Sequence, residues 1–312
     1  MSTERTIAQY LLPIVVFAVA LGFGFKFIDL NQTIRVNESQ LERQQLLADV
    51  RSQIERHLVQ TLTSTELLAH EVVRTRGHLQ NFETLAQGIL NRMPAISNLQ
   101  LAPNGVVRRI HPLAANVEAL GHNILRDKRV NADAFTAVES GNITLAGPIH
   151  LVQGGVAVIA RQPVYLWKNP IQNVSLNKPS ERPPFWGFVS ALITLDNLLA
   201  SDTLDSLAGK GYGYHFSRIE NKKDSIIYFA ENGTLNNAWS DKIEIWVPND
   251  KWTLTIGNQT AVGASSAAFE LAMTLLLSLL LAGATRYFLQ RQGTQVPHRT
   301  RSNKQYATTE RS

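Results

Sequence analysis

Two short segments contain residue types used in catalysis, but each lacks a feature that its chemistry requires. The segment His70–Arg74 begins like the helix of a zinc peptidase, yet Arg74 stands where the second histidine ligand must be. The glycine-rich segment Gly209–Gly213 has neither the Walker nor the Rossmann spacing of a phosphate-binding loop. The sequence also contains no Gly-x-Ser-x-Gly nucleophile motif. We therefore expect no metal, no cofactor and no enzymatic activity, with a periplasmic hydrolase as the alternative.

Arg161 is the clearest candidate for a binding residue, because it interrupts an otherwise apolar strand that begins at Val156. A guanidinium at such a position can bind the carboxylate of a ligand through two N–H bonds, or it can end in a structural ion pair. The pairs Gly147–Pro148 and Gly154–Gly155 precede it. These glycines can let the backbone approach a cavity closely, or they can serve only as turns. The sequence leaves both sets of alternatives open.

The elements that must position these residues mix helices with antiparallel strands, which predicts an α+β fold. The segment Ile96–Ile110 reads as a hairpin around the turn Pro103–Gly105, and a helix at Asp133–Ser140 stops at Gly141. Residues 170–184 are rich in Pro, Asn and Ser, which predicts a loop. We expect further strands at 143–145, 149–152, 156–160, 163–167, 185–195, 212–219, 225–229, 242–247 and 252–257.

A long helix is predicted from Leu30 to about Arg76, because no Pro or Gly interrupts the segment before Gly77. Its apolar residues recur at alternating steps of three and four, which is typical of a coiled-coil seam. This stripe either forms the stalk of a homodimer or packs the helix against its own domain, and both can hold for different segments. The stripe consists of Leu47, Val50, Ile54, Leu58, Leu62, Thr65, Ala69 and Val72.

Two apolar segments, Tyr10–Ile28 and Ala267–Phe288, flank the rest of the chain. Each has about the length, roughly 20 residues, that a helix needs to cross a bilayer. The first is longer than the apolar core of a signal peptide and no small-residue cleavage pattern follows it, so we favour an uncleaved anchor over a cleaved leader. The tail from Arg286 onward contains six basic side chains and one acidic side chain. Because short basic segments stay cytoplasmic, both termini are expected in the cytoplasm.

The net charge of +5 is therefore concentrated in the tail, and the remainder of the chain is neutral overall. A nucleic-acid-binding protein would place its basic excess on the folded domain, so we expect no nucleic-acid partner. The tail is better suited to anionic lipid headgroups of the bilayer. The chain has no cysteine, so the predicted outer domain must fold without disulfides.

Four segments in order resemble the CHASE sensory domain of bacterial histidine kinases and diguanylate cyclases. The resemblance covers about Glu66–Leu199. The segments are Ile96–Pro112, with its strand, Pro-x-Gly turn and strand; Gly121–Leu125; Leu145–Gly155 followed by Arg161–Tyr165; and Trp186–Val189.

The resemblance implies two PAS-like subdomains on a long N-terminal helix, with a small ligand in the membrane-distal subdomain. In the plant cytokinin receptors of this family, an aspartate and a threonine hydrogen-bond the ligand, and these positions align with Asn123 and Ala146. Because an alanine side chain cannot hydrogen-bond, cytokinin is not the expected ligand. The expected ligand-binding residues are Asn123, Leu125, Leu145, Ala146, Gly147, Pro148, Gly154, Gly155 and Arg161.

Family members usually continue after the second span into an output domain, whereas this sequence ends soon after it. We therefore expect a sensor that signals in trans, to a membrane kinase or cyclase. A truncated remnant and a structural protein that binds no ligand are the alternatives. Glu270 in the second span is a candidate contact for such a partner, because a carboxylate facing lipid is costly.

The sequence thus predicts a multi-pass protein of the inner membrane with two spans and a periplasmic or extracellular domain. The predicted order is a cytoplasmic N-terminus (1–9), a first span (10–28), a stalk helix (29–80), a membrane-distal CHASE/PAS-like sensor (81–200), a membrane-proximal β-rich subdomain (201–264), a second span (265–288) and a disordered basic cytoplasmic tail (289–312).

Overall fold

The computed structural model of the chain describes residues 2–151, 154–167, 183–220, 225–262 and 264–294. The chain divides into two units, one made of Met1–Ser39 with Val262–Ser312 and the other of Gln40–Ala261. The predicted loop at 170–184 and the tail from residue 295 onward lie almost wholly outside the described residues.

Six α-helices and nine β-strands are present in the described part of the chain, together with three short 3-10 turns. The helices are α1 (Ser2–Arg74), α2 (Phe82–Arg92), α3 (Asn131–Ser140), α4 (Leu195–Leu199), α5 (Asp202–Leu207) and α6 (Ala264–Thr294). The strands are β1 (Asn98–Pro103), β2 (Arg109–His111), β3 (Thr144–His150), β4 (Val156–Tyr165), β5 (Phe185–Thr194), β6 (Tyr212–Glu220), β7 (Ser225–Asn232), β8 (Ser240–Val247) and β9 (Asp250–Asn258).

The larger unit contains an antiparallel sheet of five strands in the order β2-β1-β5-β4-β3. The predicted hairpin is confirmed as β1 and β2, which pair from Leu99 with His111 to Leu101 with Arg109. The four short strands predicted between residues 143 and 167 were wrong, because the structure has two longer strands, β3 and β4. The pair Gly147–Pro148 does not end β3 but lies at an irregularity in its register. There Gly147 has a φ of +113°, a backbone conformation that glycine adopts readily.

The two faces of this sheet differ in chemistry because side chains alternate along each strand. One face is apolar and packs against α1 and α2, with Leu99, Val189 and Ala160 among its buried residues. The opposite face carries Ala102 and Phe188, which pack with residues of α3 and its preceding loop. The same opposite face also carries polar side chains, described below.

The stripe on α1 packs against the chain's own domain. Leu47, Val50, Ile54 and Leu58 are buried in one core cluster with the sheets, while Ala69 and Val72 are buried in a second. Of the two interpretations left open by the sequence, internal packing therefore accounts for this stripe. The helix ends at Arg74, close to the predicted end near Arg76, because the two residues after Thr75 adopt positive φ angles.

The second sheet has four antiparallel strands in the order β7-β6-β9-β8, which confirms the smaller sheet predicted after Tyr212. Trp252, Leu254 and Ile256 of β9 are buried in the same core cluster as α1. Arg43 of α1 is buried, and its Nε donates to Asp241 of β8 over 2.7 Å. The α+β class with a long N-terminal helix and two antiparallel sheets is thus confirmed.

The other unit contains the N-terminal part of α1 and all of α6. Both helices are long and apolar enough to cross a membrane. Within this unit Glu270 accepts two hydrogen bonds from Arg35, at 2.7 and 3.0 Å. Glu270 is expected from the sequence to contact another membrane protein, but its carboxylate forms an ion pair with Arg35 of the same chain.

Candidate functional site

A row of buried polar side chains crosses the five-stranded sheet on the face away from α1. Gln100, Ser190, Arg161 and Thr144 are direct neighbours in register on β1, β5, β4 and β3. All four are buried. Buried polar groups are costly unless they are hydrogen-bonded, so a continuous row of them requires an explanation beyond packing.

The two ends of the row are satisfied within the protein. Gln100 donates to Asn98 over 2.9 Å, and Asn98 donates to Asn116 over 3.0 Å, so that three buried amides form a chain. Thr144 donates to the carbonyl oxygen of Asp133 in α3 over 3.4 Å. The two central members of the row, Arg161 and Ser190, are different.

The Nε and Nη1 atoms of Arg161 and the Oγ atom of Ser190 are buried without a hydrogen-bond partner among the described residues. Within that same part of the chain, no carboxylate forms an ion pair with the Arg161 guanidinium. The Cζ atom of Arg161 lies 5.7 Å from the centroid of the Phe188 ring. This cation–π contact compensates only a fraction of the hydration that the guanidinium loses on burial. The described residues therefore do not form the structural ion pair that the sequence left open for Arg161.

Burial sets the ionisation of this group. It lowers the pKa of Arg161 to about 10, opposed only by the more distant carboxylate of Asp133. Burial likewise raises the pKa of Asp133, against the opposite influence of Arg161. Arg161 remains charged at neutral pH, so the sheet face carries a buried, incompletely solvated cation.

Arg161 lines a cavity of about 50 Å³ over this face of the sheet. Since a water molecule needs roughly 10–15 Å³ of such volume, the cavity holds about three or four water-sized groups. Most of the wall is apolar, and polar side chains enter from the loop before α3 and from the end of β3. The wall consists of Gln100, Val107, Ala119, His122, Ile124, Asp127, Arg129, Val130, Ile149, His150, Leu151, Ile159, Arg161 and Leu192.

The second arginine in the wall is already neutralised. Arg129 donates to both carboxylate oxygens of Asp127, with the shortest bond at 2.6 Å, and this holds the pKa of Asp127 at about 2. His122 has its Nε2 atom 3.6 Å from the same carboxylate, but burial lowers its pKa, which favours the neutral imidazole. Asp127 and Arg129 cancel, so among the side chains of the wall Arg161 carries the one uncompensated charge, and the carboxylate of Asp133 acts on it only from outside the wall.

This arrangement favours binding over catalysis. A buried guanidinium with unused N–H donors can hold an anion, and the apolar wall can hold a short hydrocarbon group. The described residues include no cluster of three His, Asp or Glu side chains with the geometry of metal ligands. The prediction that the chain has no enzymatic activity remains a prediction.

Of the nine ligand-binding residues predicted from the sequence, Arg161 is the one in the cavity wall. Asn123 lies between two wall residues, and its side chain accepts a hydrogen bond from the backbone N–H of Arg126 over 3.2 Å. Leu125 packs beside Gly105, and Ala146 belongs to an apolar cluster that contains four residues of the wall. Leu145 points into the core on the α1 side of the sheet.

The predicted glycine and proline residues have backbone roles in the structure. The carbonyl oxygen of Gly147 accepts a hydrogen bond from Arg218 of β6 over 2.9 Å, which connects the two sheets. Gly154 and Gly155 have φ angles of +91° and +78° and lie in the connection between β3 and β4. A Cβ atom added at either glycine would meet no other atom within 4 Å. The positive φ angles, and not a close contact, therefore account for the glycines, as in a turn. Their contact with a ligand remains a prediction.

Sequence reasoning missed the polar groups that complete the cavity wall, His122, Asp127, Arg129 and His150. Their spacing carries no motif, since they come from a loop and a strand end that meet only in the folded domain. Asp127 precedes α3 but does not cap it, because the residue at the cap position is Val130. The side chain of Asp127 instead binds Arg129.

Comparison with known proteins identifies the family. The sequence model of the CHASE domain matches residues 59–228, which is more than half of the chain, so the chain belongs to the CHASE domain family. It therefore carries a sensory ligand-binding domain of the extracytoplasmic CHASE type. Curated proteins gave no significant match.

One solved structure supports this fold, and two others have lower similarity. An extracellular ligand-binding receptor from Desulfohalobium retbaense superposes with a TM-score of 0.52 and 14% identity, over 69% of this chain and 40% of the receptor chain. The sensory domain of the Campylobacter jejuni chemoreceptor Tlp3 gives a TM-score of 0.48 with 12% identity, over 77% and 99% of the two chains. The sensor domain of the Vibrio cholerae histidine kinase DctB gives 0.45 with 10% identity, over 70% and 96%.

Proposed function

We propose that this protein is a membrane-anchored extracytoplasmic sensor that binds a small molecule in the cavity beside Arg161 and relays the signal to a separate signalling protein. The observation that carries the proposal is the buried guanidinium, which has unused hydrogen-bond donors at a cavity within a CHASE domain. A ligand that satisfies those donors would stabilise one packing of the domain. It shifts the conformational equilibrium only by the difference between its affinities for the two states.

The proposed topology places the sensor outside the cytoplasmic membrane, between two spans at residues 10–28 and 265–288. Both termini lie in the cytoplasm in this arrangement, and the basic tail lies near anionic lipid headgroups. Its support is the apolar character of the two helices and the concentration of basic residues after Arg286. The remaining boundaries are those proposed from the sequence, with a sensor at 81–200 and a β-rich subdomain at 201–264.

The proposed relay uses α1, which is continuous through both units. Its residues from Gln40 onward belong to the sensory unit, and its first part belongs to the apolar unit. A ligand-dependent shift of the sensory core would act directly on this helix. The output is proposed to be a membrane kinase or cyclase that contacts the apolar helices.

Homodimerisation through the stalk helix is also part of the proposal, but through a different face from the predicted stripe. Leu41, Val59 and Leu67 of α1 are more than half exposed. Leu41 and Val59 are five helical turns apart, so they lie on the same side of the helix. A second copy that packs along this side would bury them.

The binding part of the proposal is tested by a thermal-unfolding screen of the full-length protein in lipid nanodiscs. The library should contain small metabolites of acidic, neutral and basic classes. We expect at least one compound to raise the unfolding temperature in proportion to the logarithm of its concentration, since ligands stabilise the state they bind. A library without any such compound would contradict the sensor function.

The relay part is tested by photo-crosslinking in cells from exposed positions of α6, such as Leu276 and Leu280. A crosslinker at either position should capture a membrane kinase or cyclase. Capture of this chain alone, with no change in phosphorylation or cyclic-nucleotide output upon deletion, would contradict signalling in trans.

A further inference from the structure

We infer that the ligand of the cavity is a short-chain aliphatic monocarboxylate, held by the guanidinium of Arg161 with its alkyl end against the apolar wall. This inference rests on the proposed function and adds to it the chemical class of the ligand. Three properties of the cavity carry it: the unused donors, the charge balance and the size and polarity of the wall.

The donors require a strong acceptor. Nε carries one N–H bond and Nη1 carries two, and both atoms are buried without a partner among the described residues. Ser190 of β5 is the direct neighbour of Arg161 in register, and its hydroxyl group is also buried without a partner among the described residues. A carboxylate provides two oxygen atoms that together accept several hydrogen bonds, and such charge-assisted bonds are about twice as strong as neutral ones.

The charge balance selects a single negative charge. Arg129 and Asp127 neutralise each other through three side-chain hydrogen bonds. The neutral form of His122 is favoured. The carboxylate of Asp133 acts on Arg161 from outside the wall, so the cavity itself takes at most one negative charge, and a dianion would leave an excess negative charge in a mostly apolar space.

The wall selects a small ligand with a hydrocarbon end. The volume of about 50 Å³ accommodates a group of a few heavy atoms. Ile149, Ile159 and Leu192 form part of an apolar surface next to Arg161 on the same face of the sheet. An inorganic oxyanion would leave this surface in contact with water, but a short alkyl group would cover it.

The inference is tested by calorimetric titration of the full-length protein in nanodiscs with acetate, propionate and butyrate. Acetamide, propionamide and butyramide serve as neutral isosteres, and chloride and inorganic phosphate as control anions. We expect at least one of the three acids to bind at least tenfold more tightly than its amide and than either control anion. Equal binding of acid and amide, or preferential binding of phosphate, would overturn the inference.

Three variants locate the site. Arg161→Met should reduce the affinity for the acid by at least tenfold, and Ile159→Phe should do the same by filling the cavity while Arg161 is retained. Arg108→Met removes an exposed arginine outside the wall and should bind as the wild type does. Undiminished binding to both cavity variants would overturn the assignment.

The outcomes also separate this inference from the proposed function. If the library screen yields a ligand that is not a carboxylate, the ligand class is wrong but the sensor function stands. If neither the acids nor any library compound binds, both fail. If water alone satisfies Arg161, the acids will show no heat of binding and the inference is contradicted.

Discussion

Replacing Arg161 should stabilise the protein while removing its ligand affinity. The charged guanidinium is fully buried, and burial lowers its pKa from the ordinary arginine value to about 10 because it disfavours the charged form. Each tenfold change in proton affinity corresponds to roughly 1.4 kcal/mol, so the charge costs on the order of 3 kcal/mol in the folded state. Because folding lowers the pKa of this base, the full cost is present at neutral pH, and it is lost only as the pH rises above about 10 towards the pKa of the unfolded chain.

A methionine at position 161 removes the charge and retains an unbranched side chain of similar length. For a unit of the size of Gln40–Ala261, about 1 kcal/mol shifts the unfolding temperature by roughly 2–4 °C. We therefore expect Arg161→Met to unfold roughly 6–12 °C above the wild type in ligand-free buffer at pH 7. The added stability would show that the wild-type residue is retained for binding rather than for folding.

The assay is a fluorescence-monitored thermal unfolding of the full-length protein in nanodiscs at one scan rate. Trp252 is almost fully buried in the sensory core and reports its exposure to water. Arg108→Met is the matched control, because it makes the same change on the surface, and its unfolding temperature should stay within about 2 °C of the wild type. An Arg161→Met protein that unfolds below the wild type would refute the reasoning, since the guanidinium would then make a net stabilising interaction.

Three further predictions concern the fold and its pH dependence. Arg43→Leu leaves the carboxylate of Asp241 without its buried partner and should lower the free energy of unfolding by about 3 kcal/mol, measured by urea denaturation; an unchanged midpoint would contradict it. Gly187→Ala should prevent folding or lower the unfolding temperature by more than about 5 °C, because φ there is +154° and an added Cβ would overlap the backbone of β1; unaltered unfolding would show that the strands can separate. Arg129 holds the pKa of Asp127 at about 2. The stability that the ionised Asp127 carboxylate contributes is therefore fully present above pH 3.8 and is lost as the pH falls to about 2. Asp127→Asn should therefore reduce the loss of stability between pH 4 and 2, and a parallel pH profile would contradict this assignment.

Local sequence signals predicted most of the elements. The Pro-x-Gly turn predicted the hairpin of β1 and β2, and alternating apolar residues predicted β8 and β9, because each signal depends on neighbours in the sequence. The length of β3 was not predictable in this way. Gly147–Pro148 usually ends a strand, but here tertiary contacts, including the hydrogen bond from Arg218, keep the strand paired on both sides of the irregularity.

The candidate site was predictable only in part. Arg161 was noticeable because a charged residue within an apolar strand is unusual, and this feature survives in the structure as the buried cation. His122 and Asp127 could not be found, because loop residues reach the cavity through packing that has no sequence period. The stripe on α1 predicted one packing surface without indicating its partner, since a coiled-coil seam and a domain core require the same spacing.

The most direct test of the central claim, a sensory domain outside the membrane between two spans, is cysteine labelling in intact cells. The chain has no native cysteine, so single cysteines can be introduced without background. A Glu118→Cys variant places a thiol at an exposed position of the sensory domain, and Ser302→Cys places one in the basic tail. A membrane-impermeant maleimide should label position 118 in intact cells and position 302 only after the membrane is permeabilised. Labelling of position 118 only after permeabilisation would contradict the account.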